Sequence, residues 1–585
     1  MERKTEDIDE EKESGIKEPL LVKPSSKGSL RTLPFILANE GFERAASSGL
    51  EPNMVLYLTG AYGLEMATGA NVIFFWSAAT NFTPILGAFL ADTFAGRFRM
   101  IGFGSILSLM GMTLLWSTTT IPGARPSCYS TATNGCNSPT PFQLILLCSA
   151  LGLMSIGSGG IRSSTLAFGA DQLVTTGEEG MTTSRGGILG SFFNWYYFSV
   201  SFAVLFALTC EVYIQDHMGW QAGFGVPLFL MFLSVISFFL ASSFYVKAEP
   251  KSSLFTSFAQ VLVASWRNRH CQFPTQERTE IIYHGAKGSI LENPSEKLRF
   301  LNKACLTKDT KQELTLEGAG VNPWRLCTVD QVEEFKSVLK IIPLWSTAII
   351  LGVNANQTSF RVLQANSMDR HILSSTFEIP AGSFGTFGLI TIILWLVLYD
   401  RVFIPWASKV KGKPTCLDTK TRMGIGFLLS IASLVVAAIV ESIRRDRAIS
   451  KGTLSEYPSS NMSALWLVPQ ICLLGLAEAL CAIAQIEFFY SEFPKSMSSI
   501  SSNLWGLAMS VASLVASLIM SLVDHVTKQG GGQSWVSGNV NKGHYDYYYW
   551  VLAGLSLLNY MYFWLCSRAY WQEGRDKLKD TSDEQ

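Results

Sequence analysis

The sequence predicts an all-α integral membrane protein whose twelve transmembrane helices form two bundles of six. Three observations predict it. Of 585 residues, 48% are hydrophobic and only 16% charged, whereas soluble domains carry roughly 25% charged residues. Apolar stretches of roughly 20 residues, enough to cross a hydrocarbon core, recur twelve times along the chain. A long polar insert, 247–333, divides those stretches six and six.

The elements follow in order. Residues 1–32 are polar, lack the apolar core of a signal peptide, and read as a disordered cytoplasmic tail. The first bundle, 33–246, holds spans near 33–59, 69–91, 97–119, 142–169, 191–213 and 222–246. After the 247–333 linker, the second bundle, 334–570, holds spans near 334–357, 380–403, 420–441, 462–492, 498–523 and 547–570. A short polar tail, 571–585, closes the chain. Two six-helix bundles joined by a cytoplasmic linker are the arrangement of the major-facilitator architecture. With both termini inside, inner segments carry about 35 Lys and Arg and outer loops about 9, so the positive-inside rule places both ends in the cytoplasm. The awkward segment is "ESIRRDRAISKG", which this reading puts outside with four cations. In the proposed outer loop "SCYSTATNGCN", Cys128 and Cys136 either bridge, since that face is oxidising, or stay as two thiols. Asn461 begins a glycosylation sequon on the same face.

Composition also excludes functions. Lys+Arg and Asp+Glu balance at 46 each, so charge points to no nucleic-acid partner. The six histidines fall in loops or at span ends without an HxxxH pair, so no metal site and no cofactor are expected. No P-loop appears, and no repeated filter-like motif marks a channel. The expected partners are the bilayer, a small solute and protons, not a catalytic substrate; nothing fixes the oligomeric state.

The first span carries charge where a bilayer resists it. "LPFILANEGFERAASSG" holds Glu40, Glu43 and Arg44 at i, i+3 and i+4, on one face of a helix. Each charge at mid-bilayer costs roughly 2.5–3.5 kcal/mol on insertion scales, so this face cannot point at lipid. Two acids against one base leave an odd carboxylate, whose protonation can change with its surroundings. Those are the requirements of a proton-coupling site. In the fourth span Arg162 follows Gly157, Gly159 and Gly160, which permit close helix approach. In the tenth, Glu478 falls near mid-bilayer and Glu487 nearer the cytoplasm. Arg162 and Glu478 are therefore candidates for an ion pair between the bundles. Arg44 and Arg162 are the only cations this reading puts deep in the spans. "GAFLADTFAGRFR" gives Asp92 and Arg97 a short charged turn that braces the inner helix ends. Candidate cavity residues are Asn81, Asn194, Tyr197, Asn354, Gln357 and Trp505.

At this point the motifs resemble a known family. "NEGFER", "LGAFLADTFAGRF" and "FGADQ…FFNWYYF" are similar to signatures of the proton-coupled oligopeptide transporter superfamily. "NPWRLCTVDQVEEFKSVLKIIPLW", "MDR…FEIPAGSFGTF" and "NKGHYDYYYW" resemble its plant branch, the nitrate and peptide transporter family, nearest the low-affinity nitrate subgroup. The resemblance runs from about Lys27 to Trp571. It implies a proton symporter in which Glu40, Glu43 and Arg44 couple protons and Arg162 and Glu478 form the inter-bundle pair. It also implies transport of a small anion, nitrate first, at the plasma membrane. Organic anions such as gibberellin or jasmonate, or di- and tripeptides, are the alternatives. Arg162 stands where the family usually has a lysine, and Asn354 where some nitrate carriers place a histidine. An amide donates hydrogen bonds but supplies no pH-dependent charge, so the expected affinity for nitrate is low.

Overall fold

The structure, a computed structural model, describes residues 32–583 except 127–137, 175–181, 248–253, 271–282, 286–292, 308–321, 373–376, 413–416, 451–461 and 494–496. The tail before Thr32, the Cys128–Cys136 loop and Asn461 lie outside the described residues.

Among the described residues, ten continuous helices are long and apolar enough to cross a membrane: Met66–Ala95, Arg97–Thr120, Pro141–Leu173, Ser191–His217, Gly219–Leu240, Ala381–Val410, Thr419–Ser450, Ala464–Glu492, Asn503–Lys528 and Tyr545–Trp571. An eleventh span is a pair, Val329–Ser346 and Ala348–Asn366, bent by 48°. The remaining one is the first, which apolarity alone overlooks. It consists of Leu33–Ser48 and Glu51–Leu56, and the first piece carries three charges. In chain order these become helices one to twelve, six on each side of the linker.

Helix one breaks for a local reason. Pro52 lies in the first turn of its second piece, and a proline has no N–H to donate back to the carbonyl one turn earlier. A π-turn, Tyr57–Ala61, then ends the helix. Helix four packs through bare backbone. A Cβ on Gly157 would meet Ser108 N at 2.4 Å, and one on Gly159 would meet Thr83 Oγ1 at 2.4 Å. Only glycine lets helices two, three and four come this close. That contact fixes the rotation of helix four, and so the direction in which Arg162 leaves it.

The linker is partly folded. Helix Leu254–Arg267 and the short turn Arg299–Ala304 pack Val261, Ala264, Leu301, Cys305 and Cys327 against Val329 and Val332 at the start of helix seven. Burial pushes both thiols up to about 12, which makes them packing groups and not nucleophiles. Helix twelve continues past its span into the polar 571–585 tail, through Asp583.

The awkward cations of the sequence have a structural place. Helix nine does not stop near residue 441; it runs to Ser450, about 48 Å in all. Its last turns therefore project past a hydrocarbon core of ~30 Å. Arg444 is fully buried there, donating to both oxygens of Glu441, to Asn541 Oδ1 at 2.7 Å and to the Val540 carbonyl at 3.2 Å. Gln364 of helix seven donates to the same Glu441 at 2.7 Å, and Tyr549 of helix twelve donates to Gln364. Arg445 donates to the Gly543 carbonyl at 3.0 Å. These arginines fasten helices seven, nine and twelve to the loop between helices eleven and twelve.

The bundles are joined along helices two, seven and eleven. Ser517 donates to Asn71 at 2.6 Å, Ser510 to the Ala78 carbonyl at 2.9 Å, and Asn356 accepts from Ser77 and Ser513 at 3.2 Å each. Lys528 pairs with Glu65, and Arg370 with Asp216 at 3.2 Å. The two ion pairs stand at the helix ends away from the linker, and the Ser510–Ala78 bond stands near mid-span.

Arg444→Ala strands a buried carboxylate, and breaking a buried pair costs about 3–5 kcal/mol. The variant is expected to melt well below the wild type in detergent, while the isosteric pair Glu441→Gln with Arg444→Met recovers part of the loss. A wild-type melting temperature for Arg444→Ala would show that the cluster fastens nothing.

Candidate functional site

The charged face of helix one points inward to helices four and five. Asn39 helps to set it: its Nδ2 donates to Ser234 Oγ at 2.8 Å, and Ser234 Oγ donates back to the Asn39 carbonyl at 2.8 Å. With helix one locked to helix six, Glu40 and Glu43 are fully buried. Arg44 Nε donates to Glu40 Oε1 at 2.9 Å and lies 4.0 Å from Glu43 Oε2. Arg162 donates to Ser47 Oγ at 2.7 Å and stands 3.4 Å from Glu43 Oε1. Tyr196 of helix five is buried within electrostatic reach of Glu40.

Glu43 thus sits between two guanidinium groups, and the odd carboxylate of the sequence has Arg162 as its counter-charge. The cluster holds two acids and two bases, a balanced set for a low-dielectric site. It is loosely bonded. Neither oxygen of Glu43, nor Oε2 of Glu40, has a hydrogen-bond partner. Arg162 is held by its hydrogen bond to Ser47 and by the charge of Glu43, so a proton on Glu43 removes the charge attraction and leaves the Ser47 bond.

Arg162 and Glu478 do not form an ion pair in this conformation; Arg162 is engaged by helix one. The cation electrostatically facing Glu478 is Arg361 of helix seven. Sequence reasoning missed it by ending helix seven at residue 357, although the helix continues through Thr358–Asn366. Arg44 and Arg162 are therefore joined by a third cation within the spans. Arg361 donates to the carbonyls of Asn354 and Ala355 and to Thr358 Oγ1, the latter two at 2.9 Å. Glu51 was missed as well. It follows Glu40, Arg44 and Ser47 on the helical repeat, so the 3–4 spacing of one polar face was the signal that could have found it.

Glu51 connects two cavities between the helices. The larger, about 430 Å³, lies between the bundles and is lined by Arg361, Glu478, Glu51 and Asn81 together with an apolar wall that includes Phe384, Leu389, Ile471 and Leu474. The smaller, about 140 Å³, is lined by Arg44, Arg162, Ser158, Glu51 and Asn81. Glu51 lies within electrostatic reach of both Arg162 and Arg361. A chain of alternating charge thus runs from the helix-one cluster into the larger cavity.

The other candidates fall differently. Asn81 lines both cavities, its Nδ2 donating to the Ser77 carbonyl at 2.9 Å. Asn354 is buried inside the second bundle, donating to Ser430 and Ser556 at 2.8 and 3.0 Å. Gln357 is buried too, donating to the Val353 carbonyl and accepting from Tyr548. Neither lines either of the two cavities described above. Trp505 packs against the core of the second bundle, and Asn194 and Tyr197 are exposed on helix five, outside both cavities. Arg97 stands 3.6 Å from Asp92 and donates to Asp171 of helix four at 2.7 Å, with Gly96 supplying the positive φ of +77° that the turn needs. Glu487 pairs with Arg422 within the second bundle.

Comparison with known proteins finds relatives over most of the chain. Residues 98–536 match the model of the POT family. The chain is 51% identical to Protein NRT1/PTR FAMILY 1.2 of Arabidopsis thaliana, covering 93% of this chain and 90% of that protein. It is 52% identical to NRT1/PTR FAMILY 1.1 of the same plant, covering 93% and 92%. Among solved structures it resembles the POT family transporter PepTSo, with a TM-score of 0.66 at 20% identity over 93% of this chain and 98% of that one. It also resembles an auto-inhibited POT family peptide transporter, with a TM-score of 0.65 at 19% identity over 92% and 97%.

Glu40→Gln is expected to abolish proton-driven accumulation of solute while leaving normal amounts of protein at the membrane. Uptake with an unchanged dependence on external pH would remove Glu40 from the coupling machinery. For Arg162 and Glu43, a double-mutant cycle on transport should show an interaction of about 0.5–3 kcal/mol. Strictly additive losses would mean that their approach has no consequence.

Proposed function

This chain belongs to the POT family of transporters, and we propose that it is a proton-coupled symporter of small anions, with nitrate as its first cargo. The observation that carries this reading is the permanent cation Arg361 in the cavity between the bundles, continuous through Glu51 with the proton-accepting cluster of helix one. Nitrate is planar with one delocalised charge, matched to a guanidinium fork and an amide donor such as Asn81.

The proposed cycle is as follows. A proton taken up by Glu40 or Glu43 weakens the hold of helix one on Arg162. The freed guanidinium then turns toward the cavity, toward the anion or Glu478, and the balance of charge between the bundles changes. In this conformation two ion pairs join the bundles at the helix ends away from the linker, which suits release toward the linker. With both termini cytoplasmic, that release is into the cell across the plasma membrane. Moving nitrate with more than one proton carries positive charge inward, so the membrane potential adds about 2.3 kcal/mol per charge per 100 mV.

A second cargo is favoured by one observation. A cavity of about 430 Å³ with an apolar wall falls in the size range of drug-sized ligand sites and exceeds what nitrate fills. An organic carboxylate could place its charge at Arg361 and its body against Phe384, Leu389 and Leu474. Loose binding is expected for nitrate, because Arg361 is shared with Glu51 and Glu478.

Oocyte currents test the assignment. Nitrate should evoke inward current at acid external pH, saturating in the millimolar range, where a ~1 mM constant is worth only ~4 kcal/mol. Arg361→Gln should raise half-saturation roughly 10-fold or more, from the loss of a charged hydrogen bond worth about 1.5–3 kcal/mol. Well-expressed protein that carries an organic carboxylate and gives no nitrate current would transfer the assignment to the second cargo.

A further inference from the structure

Helix five contains a buried acid that the coupling cluster does not use. Glu211 ends a five-residue π-turn, Ala207–Glu211. It is 0% exposed, and neither carboxylate oxygen has a hydrogen-bond partner. The carboxyl lies directly against the break of helix one, since a Cβ on Gly49 would sit 1.9 Å from Glu211 Oε2. One turn on, Gln215 donates its Nε2 to the Gly49 carbonyl at 2.9 Å. Two side chains of helix five therefore grip the interruption between the two pieces of helix one.

The surroundings offer no counter-charge. Helix one contributes Glu40, Glu43 and Arg44, all engaged in their own cluster, and Glu51, which points into the cavity. Helix five contributes Cys210, Tyr213, Asp216 and His217 near Glu211, and Asp216 is paired with Arg370. Helix six, the turn Ala381–Phe384 and the first part of helix eight, Gly385–Leu398, contain no titratable residue. An ionised carboxylate sealed here without a cation would carry a large desolvation penalty. The neutral acid forfeits only unmade hydrogen bonds, the smaller penalty of the two.

The joint also bears on the far-side seal. Immediately after the break, Asn53 meets the other bundle so closely that a Cβ on Gly382 would lie 2.5 Å from Asn53 Oδ1. Opening the far side must move this part of helix one, and that movement uncovers Glu211. We propose that Glu211 is a second proton-binding site, separate from the helix-one cluster, which takes a proton from the far side as the bundles seal and returns it there when they open. The step is a simple protonation, with water on the far side as donor and acceptor. It sets how readily the far side closes at a given pH and adds nothing to the number of protons carried across. It holds whichever anion is transported.

Infrared spectroscopy of the purified protein in lipid tests this without a substrate. At a pH where ordinary carboxyl groups are ionised, the wild type should retain the C=O stretch of a protonated carboxyl without hydrogen bonds, at the high-frequency edge of that band. The band should vanish in Glu211→Gln and persist in Glu40→Gln and Glu43→Gln, and Glu211→Gln should still accumulate solute against a gradient. Absence of the band from the wild type overturns the proposal with no variant needed, and so does its persistence in Glu211→Gln. Loss of the band together with loss of accumulation would place Glu211 in the coupling path, which also contradicts it.

Discussion

The constraint on which the rest of the structure depends is the burial of Glu40 and Glu43. Two carboxylates with no exposed surface are tolerable inside a membrane only where cations reach them. Arg44 comes from the same helix and cannot neutralise both. The second cation has to arrive from another helix, and it is Arg162. Helix four must therefore stand close to helix one at a fixed rotation. The glycine contacts with helices two and three set that rotation, and the Asn39–Ser234 exchange sets helix one. Neither feature touches a solute, yet both are needed for a charge cluster that a single proton can unbalance.

Unbalancing it has consequences because of what surrounds it. Just after the break, at the start of the second piece of helix one, Glu51 lines the space between the bundles. Charge then alternates from Glu40 through Arg44, Glu43 and Arg162 to Glu51, Arg361 and Glu478. A change at one end alters the electrostatic balance along the set, with no mechanical linkage other than the helices that bear it. Two ion pairs, Lys528–Glu65 and Arg370–Asp216, tie the bundles together at the ends away from the linker, so the same charges face a cavity fastened on that side.

Much of this was legible in the sequence. The fold followed from the spacing of apolar stretches, and the charged face of helix one from the i, i+3, i+4 pattern of Glu40, Glu43 and Arg44. Two of the missed residues were hidden by one cause, the use of mean hydropathy to end a helix. Arg361 and Arg444 lie where helices seven and nine continue after their average turns polar, so both were assigned to loops. Their helical setting depends on tertiary partners: Asn541 and Gln364 for the Glu441–Arg444 pair, and the cavity for Arg361. Asn354 and Gln357 failed for the opposite reason. A polar residue inside a span can face its own bundle, and hydrophobic periodicity there is too weak to separate the two faces. Glu211 gave no local signal, because its meaning comes from Gly49, 162 residues earlier in the chain.

The central claim is that protonation of the helix-one carboxylates releases Arg162 and allows the bundles to rearrange. Spin labels on the linker-side ends of helices three and ten, with pulsed dipolar distances measured across a pH series in lipid, test it most directly. The wild type should shift between two distance populations as pH changes. Glu43→Gln, which mimics the protonated state beside Arg162, should hold the acid-pH population throughout. A Glu43→Gln protein that kept the full pH response of the wild type would contradict the account.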